Sequence, residues 1–406
     1  MAECSREMPS TRSAPTRRRL LAAVAAGSAA TLAGCRGVDD GGPTPGTDDS
    51  TEWPYPAFDP QATAYAPDAA APRDGATERW AVETPHPTDR PVVAAGRVFL
   101  PGPDALHALD LATGESVWSV GPGDQPWTNA PAVIDGTVYA TYREPPGVLA
   151  LDPADGTERW RTDLGSVTAP PVVDEDGRCY VGTRDGRLIA LEPGTGEVVW
   201  SYDLFGEVAA LTFRPPTVVV GTTAGEVYAL YDSDGPQELW RRKVGGKVVA
   251  LARVDGGDTL VSAFGGKLRR LADGAHTGSD RWANRDGGTA QGGIAVGEGL
   301  VFGGNLAGLT ACRTREGDTA WSASGEFAAG PAVAGDTVYA GREGEVVALA
   351  HSGGFALGGF AVGRERWSHD VSGTPLRGLA VADGAVVAAT AGTEESESRT
   401  YVLDPA

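Results

Sequence analysis

Apolar and polar residues alternate along most of the chain in short runs that are separated by glycine-rich turns. One stretch, APPVVDEDGRCYVGTRDGRLIALEPGTGEVVW (residues 169–200), contains the start of a run at 171–173, further runs at 178–182 and 187–191, and a last one at 197–201. Alternation with a period of two predicts β-strands, and the Asp-Gly pairs between the runs predict tight hairpins. No helix-period apolar stripe competes with this pattern in the body of the chain, so we predict an all-β protein.

The four-strand unit recurs about every 40 residues, and its last strand carries a tryptophan. Four antiparallel strands per 40 residues are the signature of a β-propeller blade. We predict that each indole packs between neighbouring blades, above the small alanine of a recurring Ala-Leu-Asp. The tryptophans in question are Trp80, Trp118, Trp160, Trp200, Trp240, Trp282, Trp321 and Trp367.

The two ends of the chain together supply one further blade. Seven units end at the tryptophans from Trp118 to Trp367, and three more strand-like runs follow at 376–382, 385–392 and 399–405. The missing fourth strand is TERWAVE, residues 77–83. A shared last blade leaves no open edge. We therefore predict an eight-bladed β-propeller over residues 77–406, with its last blade closed by N- and C-terminal strands.

The N-terminal residues resemble an export signal. Residues 16–35, TRRRLLAAVAAGSAATLAGC, join the pair Arg17 and Arg18 to an alanine-rich run that is too short for a comfortable membrane span. The arginines resemble a twin-arginine signal, and Leu-Ala-Gly-Cys resembles a lipobox whose cysteine is lipidated. We expect residues 1–35 to be a signal peptide, with a lipid on Cys35 that anchors the protein to the outer face of the cytoplasmic membrane. An ordinary cleaved signal with a chance cysteine is the alternative.

Residues 36–76 are rich in Asp, Gly, Pro, Thr and Ala, and this composition predicts a flexible tether. Within it, WPYPAFDPQATAYAP (residues 53–67) carries aromatic side chains that favour packing on the main domain.

Charge composition narrows the possible partners. The formal net charge is −20, which argues against nucleic-acid binding. Only three of the 34 basic residues are lysines: Lys243, Lys247 and Lys267. A dense carboxylate surface favours a halophilic source, although it also serves solubility alone.

Motifs for chemistry are scarce. Cys179 and Cys312 lie in strand-like runs and are expected to be buried, and no C-x-x-C occurs. The five histidines form no H-x-H or H-x-x-x-H pair, so we predict no metal site. The sequence Asp-Glu-Asp-Gly at 174–177 resembles a calcium loop but lacks the downstream ligands, and a hairpin turn is the preferred interpretation.

Two features are candidates for binding. The first lies where the innermost strands begin, because side chains at these positions could line one mouth of the channel. The alternative is that they are ordinary solvated residues at the rim. The candidates are Arg90, Asn129, Glu207, Lys247 and Arg377, with Asp89, Thr168, Thr289 and Phe327 at equivalent positions. The second feature is an insertion at 351–363 that contains Phe355, Leu357, Phe360 and Val362. It is either a partner-binding loop or a glycine-rich excursion of two extended strands.

The unit resembles a known repeat. ALDLATGESVW (residues 108–118) matches the Ala-x-Asp-x-x-Thr-Gly-x-x-x-Trp core of the PQQ-like (quinoprotein) β-propeller family throughout, and residues 148–160 and 188–200 match it closely. Blades four to seven keep the tryptophan but lose parts of the rest. The resemblance covers residues 53–406 and is specific for the fold. The family has a branch of PQQ-dependent alcohol and sugar dehydrogenases and a branch of non-catalytic, lipid-anchored BamB-type scaffolds.

The resemblance implies two main functions. The chain lacks the vicinal Cys-Cys and the C-x-x-C-H that are typical of the dehydrogenases. We therefore expect an exported, membrane-anchored, monomeric propeller that acts as a non-catalytic scaffold for a protein partner, with no cofactor. The alternatives are a dehydrogenase that holds PQQ with Ca²⁺ in a minimal channel pocket, and a propeller that binds extracellular carbohydrate or polymer.

Overall fold

A computed structural model describes most of the chain from residue 43 onward. The described ranges are 43–121, 128–143, 146–174, 177–233, 235–265, 267–273, 278–285, 287, 293–354, 356–357, 360–393 and 396–406. The predicted signal peptide, with Arg17, Arg18 and Cys35, lies outside them. Within these ranges the helical element is a 3-10 turn at Asp255–Gly257, and no helix is long and apolar enough to cross a membrane.

The strands form the eight blades of a β-propeller, each with four antiparallel strands. Tyr65–Ala66 adds a fifth strand to one blade, where it pairs in parallel with Ala332–Ala334. From the channel outward, blade one contains Val92–Ala94, Arg97–Pro101, Leu106–Asp110 and Ser116–Val120, and blade two contains Ala132–Ile134, Thr137–Tyr142, Gly147–Leu151 and Glu158–Thr162. Blade three contains Val172–Val173, Cys179–Gly182, Arg187–Leu191 and Val198–Asp203, and blade four contains Val208–Arg214, Thr217–Thr222, Glu226–Asp232 and Pro236–Lys243. Blade five contains Val248–Arg253, Thr259–Ala263, Lys267–Leu271 and Asp280–Asn284, and blade six contains Ile294–Gly297, Leu300–Asn305, Gly308–Arg313 and Thr319–Ser324. Blade seven contains Ala332–Ala334, Thr337–Arg342, Glu345–Ala350 and Glu365–Asp370, and blade eight contains Thr374–Ala382, Ala385–Ala391, Arg399–Pro405 and Ala76–Glu83.

The last blade joins both ends of the propeller. Ala76–Glu83 pairs antiparallel with Arg399–Pro405 as the outermost strand of blade eight. The prediction of an all-β, eight-bladed propeller is therefore confirmed. Innermost strands begin at one face, here called the upper face, and end at the other, the lower face. Turns between second and third strands lie on the upper face, and turns between third and fourth strands lie on the lower face.

Each of the eight repeat tryptophans is hydrogen bonded to the next part of the ring. Six indole N–H groups donate to backbone carbonyls and two donate to aspartate carboxylates, at distances from 2.8 to 3.2 Å. The donor and acceptor pairs are Trp80 and Leu111, Trp118 and Pro153, Trp160 and Pro193, Trp200 and Asp232, Trp240 and Asp273, Trp282 and Thr314, Trp321 and His351, and Trp367 and Pro72. These bonds satisfy a polar group that would otherwise be costly to bury between blades.

The repeated glycine, and not the repeated alanine, receives the neighbour's indole. Ala108 is instead the cross-strand partner of Trp118 within the same blade. The turn glycine Gly156, at φ +74°, lies where an added Cβ would meet Cδ2 of Trp118 from the preceding blade at 2.9 Å. A flat ring needs a surface without side chains, and only glycine provides it at a left-handed turn position. The Thr-Gly of the repeat is thus a docking site for the indole.

Residues 51–66, here called the strap, run across the lower face and contact all eight blades. Backbone bonds join it to the lower ends of seven blades, and the Tyr55 hydroxyl donates to the Val173 carbonyl of blade three. The backbone partners are Thr51 with Asp383, Trp53 with Val93, Pro54 with Val133, Pro60 with Phe213, Gln61 with Arg253, Thr63 with Val296, and Ala64 with Val333. The structure thus places these residues on the propeller and not in a free tether.

The strap is held by its apolar side chains as well as by its backbone. Trp53 is fully buried, with its ring centroid 5.1 Å from that of Phe58. Left-handed backbone at Phe58, Ala62 and Ala64 lets the strap curve around the ring. The strap satisfies N–H groups at the channel ends of the innermost strands, which no other strand can reach. It therefore closes the lower end of the channel.

Candidate functional site

The channel above the strap is a cavity of about 620 Å³. Its floor is made by strap residues that include Tyr55, Pro56 and Asp59. Its walls are the innermost strands, and the part near the upper face is lined by side chains where those strands begin. A volume of this size suits a small organic molecule.

The five candidate mouth residues all line this one cavity: Arg90, Asn129, Glu207, Lys247 and Arg377. Asp89 and Thr168 join them. Phe327 does not, because it is buried, with 1% of its surface exposed, and its amide is bonded to Asn305. Thr289 lies outside the described residues.

Three further lining residues were not predicted: Arg143, Thr223 and Phe264. They lie in turns between the second and third strands of blades two, four and five. An innermost-strand rule cannot find them, because these turns reach the cavity only after the blades have stacked.

Arg90 extends across the channel. Its stem passes Gly378 of blade eight, where an added Cβ would lie 3.5 Å from the Arg90 Cβ, Cδ and Nε. Its guanidinium ends beside Gly293, at the entry to blade six, where an added Cβ would lie 2.9 Å from Nη1. Nη1 also donates to the Pro56 carbonyl of the strap at 3.3 Å. Two glycines thus make room for a charged group at the centre of the ring.

The Arg90 guanidinium lies near one carboxylate and one other cation. Nε lies 3.6 Å from Oδ1 of Asp89, and 16% of the Arg90 side chain is exposed. Burial lowers the pKa of Arg90, the nearby Asp89 raises it, and Arg377 lowers it further by repulsion. The channel therefore holds two cations that repel each other.

Arg377 stands in strained backbone. Its φ is +66°, and it lies in a bulge where the pairing of Thr374–Ala382 with Ala385–Ala391 shifts register between Pro375 and Leu379. A left-handed conformation costs a non-glycine residue about 1–2 kcal/mol. The Arg377 carbonyl is fixed by the Gly330 amide at 2.9 Å, and the residue as a whole is exposed. Bulges commonly re-aim a side chain, and this one directs an arginine to the channel mouth.

The carboxylates of the cavity are committed to the protein's own donors. Asp89 accepts bonds from the backbone amides of Arg90 and Ala130, so it ties blade one to blade two. Asp59 accepts two bonds from Thr63, and burial raises its pKa. Glu207 lies 4.0 Å from Arg184.

This donor set does not fit a calcium ion with a bound quinone. Ca²⁺ takes six to eight oxygen ligands. Among the described residues no group of three or more His, Cys, Asp or Glu side chains could hold a metal ion. The cavity instead collects Arg90, Arg143, Lys247 and Arg377. Asp59 and Asp89 in its lining already accept hydrogen bonds from the protein.

A second feature of the upper face is an aromatic and basic surface, here called the blade 4–5 patch: Phe205, Arg241, Lys243, Lys247, Phe264 and Lys267. It contains every lysine of the chain. Phe205 and Phe264 are 61% and 66% exposed. Arg241 and Lys243 lie 6.0 and 5.9 Å from the Phe205 ring centroid, and the Phe264 amide donates to the Lys247 carbonyl at 2.7 Å.

The charge of this patch is opposite to that of the chain. Glu226 is its one close acidic partner among the described residues, paired with Arg241 at 3.1 Å and with Lys243 at 3.3 Å. Lys247 and Lys267 make no ion pair within the described part of the chain. Exposed phenylalanine rings beside cations are unusual on a surface with net charge −20.

The structure also locates the remaining candidate features. The insertion forms two short strands, Ala356–Leu357 and Phe360–Ala361, and Gly363 bonds to Ser322 on the outermost strand of blade six. Val362 is exposed; Phe355 lies outside the described residues. Cys179 and Cys312 are buried, and burial raises the pKa of Cys179 to about 12. At the Asp-Glu-Asp-Gly turn the Asp174 amide donates to the Arg178 carbonyl, as in a hairpin.

Comparison with known sequences assigns this propeller to a family. The family model described as outer membrane protein assembly factor BamB matches residues 66–144, 146–214 and 209–406. The chain belongs to this family. BamB of Burkholderia pseudomallei is 29% identical over 235 residues, which are 53% of this chain and 59% of the relative. BamB of Nitrosomonas eutropha is 36% identical over 102 residues, which are 24% of each chain. The matched part thus spans less than two thirds of these BamB relatives.

Solved structures share the fold of this BamB-family chain. BamB of Moraxella catarrhalis superposes with a TM-score of 0.64 at 18% identity, covering 81% of this chain and 100% of that one. A quinohemoprotein alcohol dehydrogenase of Comamonas testosteroni superposes with a TM-score of 0.68 at 15% identity, covering 87% and 80%. Both likenesses are at the level of fold, which does not decide between a scaffold and an enzyme.

Proposed function

We propose that this protein is an exported, lipid-anchored propeller that acts as a non-catalytic scaffold for a protein partner outside the cytoplasmic membrane. The BamB relatives are named as outer membrane assembly factors, and this supports an assembly role for the present chain. Anchoring through Cys35 after export with Arg17 and Arg18 remains part of the proposal.

The blade 4–5 patch is the observation that carries the proposal. Protein interfaces are enriched in aromatic residues and arginine around a desolvated centre. Phe205 and Phe264 supply exposed rings, and Lys243, Lys247 and Lys267 supply charge on an acidic molecule. This combination favours an acidic segment of a partner protein, because such a segment is repelled by the rest of the surface and attracted here.

The test is co-purification of the full chain with a partner from crosslinked cells. The double variant K243E/K247E reverses charge in the patch, and we expect it to lose a specific adduct that the unmodified chain forms. Arg315→Glu, which reverses an exposed charge on the lower face, is the matched control and is expected to keep the adduct. Adducts of equal intensity in all three proteins would contradict the proposal.

A PQQ-dependent dehydrogenase is the second candidate, because the cavity volume of about 620 Å³ would admit a small cofactor. It is tested by titration of the full chain with PQQ, with and without Ca²⁺, followed by dye reduction with alcohols and sugars. Saturable Ca²⁺-dependent binding with turnover would replace the scaffold proposal. We expect neither, because the described residues contain no group of three or more His, Cys, Asp or Glu side chains that could hold a metal ion.

A further inference from the structure

We propose that the blade-seven insertion, residues 351–363, is a pH-sensitive cover on the outer edge of blade six, and that protonation of His351 releases it. The insertion connects the third and fourth strands of its blade and therefore lies on the lower face, away from the blade 4–5 patch. The inference goes beyond the proposed scaffold function and does not depend on it.

The first argument is the strand edge that the insertion covers. In the outermost strand of blade six, Thr319–Ser324, Ser322 forms a parallel β-bridge with Val362, and its carbonyl accepts a bond from the Gly363 amide at 2.9 Å. This strand, TAWSAS, carries no charged residue. An uncharged outer strand presents backbone groups with which other strands can pair, and proteins commonly cover such edges. The insertion supplies this cover.

The second argument is that both ends of the insertion pack on one indole. An added Cβ at Gly353 would lie 2.6 Å from Cδ1 of Trp321, and one at Gly363 would lie 2.9 Å from Cζ3 of the same ring. The indole N–H donates to the His351 carbonyl at 2.9 Å. The insertion is thus attached to blade six around Trp321, and this attachment begins at His351.

The third argument is the environment of the His351 side chain. The residue is buried, with 2% of its surface exposed, and its ring stands edge-on to Phe302 of blade six at a centroid distance of 5.1 Å. The imidazole donates a hydrogen bond to the backbone of Gly297. Its Nε2 atom is buried and has no hydrogen-bond partner within the described part of the chain. A neutral imidazole tolerates this arrangement, whereas an imidazolium carries a proton on both nitrogens and would bury an N–H without an acceptor.

The charged groups that act on His351 are two carboxylates, Glu298 of blade six and Asp336 of blade seven. Both carboxylates already have other partners. The pairs are Asp336 with Arg73 at 3.0 Å, Asp336 with Arg366 at 2.8 Å, and Glu298 with the Tyr65 hydroxyl at 3.1 Å. Burial lowers the pKa of His351 and outweighs the bond to Gly297 and these two charges.

Protonation therefore favours a state in which the imidazole reaches water. His351 reaches water when the first residues of the insertion move off blade six, a movement that breaks the bond from the Trp321 indole. A solvated imidazole has a pKa of about 6.5, so the closed state is fully favoured above that pH. Each pH unit below it raises the opening equilibrium by at most about tenfold. Opening uncovers the edge of Thr319–Ser324.

The experiment is hydrogen–deuterium exchange of the full chain at pH 7.5 and 5.5. Fragments that contain the insertion are compared with fragments from blade two. Exchange is expressed as protection relative to the free-chain rate at each pH, because that rate itself changes with pH. We expect protection of the insertion to fall several-fold at pH 5.5, with a limit of about tenfold, while protection of blade two stays the same.

Variants assign the effect to His351. His351→Phe keeps an aromatic ring against Phe302 but takes no proton, and His351→Gln is a smaller change that also removes the titrating group. We expect both variants to show the same protection of the insertion at the two pH values. His86→Gln, at an exposed histidine, is the matched control and keeps the acid-dependent loss. Circular dichroism spectra that superimpose on those of the unmodified chain check that each variant folds.

Three results would overturn the inference. They are equal protection of the insertion at the two pH values in the unmodified chain, an equal loss of protection in blade two, and an acid-dependent loss that persists in both His351 variants. None of these measurements involves a partner protein, so they are independent of the K243E/K247E adduct assay. The two proposals can therefore fail separately.

Discussion

The two ends of the channel differ in how their polar groups are used. At the lower end, backbone groups of the strap pair with innermost strands around the ring, and side chains such as Trp53 are buried. At the upper end, Arg377 and Lys247 are exposed and make no ion pair within the described part of the chain. The same eight blades form both ends, and the strap is added only at the lower one.

This difference separates architecture from function. A closed end whose backbone groups pair within the molecule contributes to stability and presents little for a ligand to contact. An open end with cations, exposed rings and strained backbone has groups left over for binding. We therefore expect lower-end changes to alter unfolding and upper-end changes to alter binding, and the following predictions test that division from the largest expected effect to the smallest.

Removing the centre of the strap should have the largest effect on stability. Trp53→Ala deletes a fully buried ring and should lower the free energy of unfolding by about 3–5 kcal/mol. Denaturant unfolding followed by fluorescence measures it. Leu306→Ala, at a side chain that is 70% exposed on the upper face, is the control and should change stability by less than about 0.5 kcal/mol. Equal losses would remove the distinction between the ends.

Filling the space where an indole packs on a turn glycine should have the next largest effect on stability. Gly317 (φ +80°) lies against Trp282, and an added Cβ would overlap its ring, whereas Gly299 (φ +79°) has nothing within 4 Å. Gly317→Ala and Gly299→Ala therefore share the left-handed strain but differ in the clash. We expect Gly317→Ala to lower the free energy of unfolding by about 1–3 kcal/mol more than Gly299→Ala does. Similar melting temperatures for the two variants would show that the indole does not need the glycine.

The buried His351 should make stability depend on pH. Burial lowers its pKa, while a hydrogen bond from the imidazole to the backbone of Gly297 and the charges of Glu298 and Asp336 act in the opposite direction. The folded protein therefore binds a proton at His351 less well than the unfolded chain does. The contribution of neutral His351 to the free energy of unfolding is complete above the unfolded pKa of about 6.5. This contribution is lost as the pH falls from the unfolded pKa through the lower pKa that His351 has in the folded protein.

Unfolding at pH 7.5 and 5.5 measures this dependence. We expect His351→Gln to reduce the difference in free energy of unfolding between the two pH values. His86→Gln, at an exposed histidine, should leave the difference unchanged. A pH dependence that survives the loss of His351 would assign it to other groups.

An upper-face change should affect stability least. Phe264→Ala truncates a ring that is 66% exposed, so the free energy of unfolding should change by less than about 0.5 kcal/mol. We expect the same variant to lose most of its crosslinked partner in cells. Retention of the adduct together with lost stability would place Phe264 in the architectural part of the molecule.

The repeat made much of the fold predictable. Tryptophans about 40 residues apart gave the blade number, and the orphan TERWAVE gave the closure of blade eight, because a ring must use every strand. The role of the repeated glycine was missed. Its contact is with the preceding blade, and a pattern within one unit cannot show what lies across an interface.

The site was less predictable because its parts are distant in sequence. Arg90, Gly293 and Gly378 meet only after blades one, six and eight form a ring. The path of the strap depends on bonds to eight separate blades, and no local propensity encodes it. Innermost-strand positions did locate seven cavity residues, since the repeat sets where each strand begins.

The most direct test compares the two faces in living cells. A photocrosslinking amino acid at Phe264 probes the upper face, and one at Val362, which is 58% exposed in the blade-seven insertion, probes the lower face. The account predicts a discrete adduct from position 264 that K243E/K247E abolishes, and none from position 362. A discrete adduct from position 362 alone would contradict it.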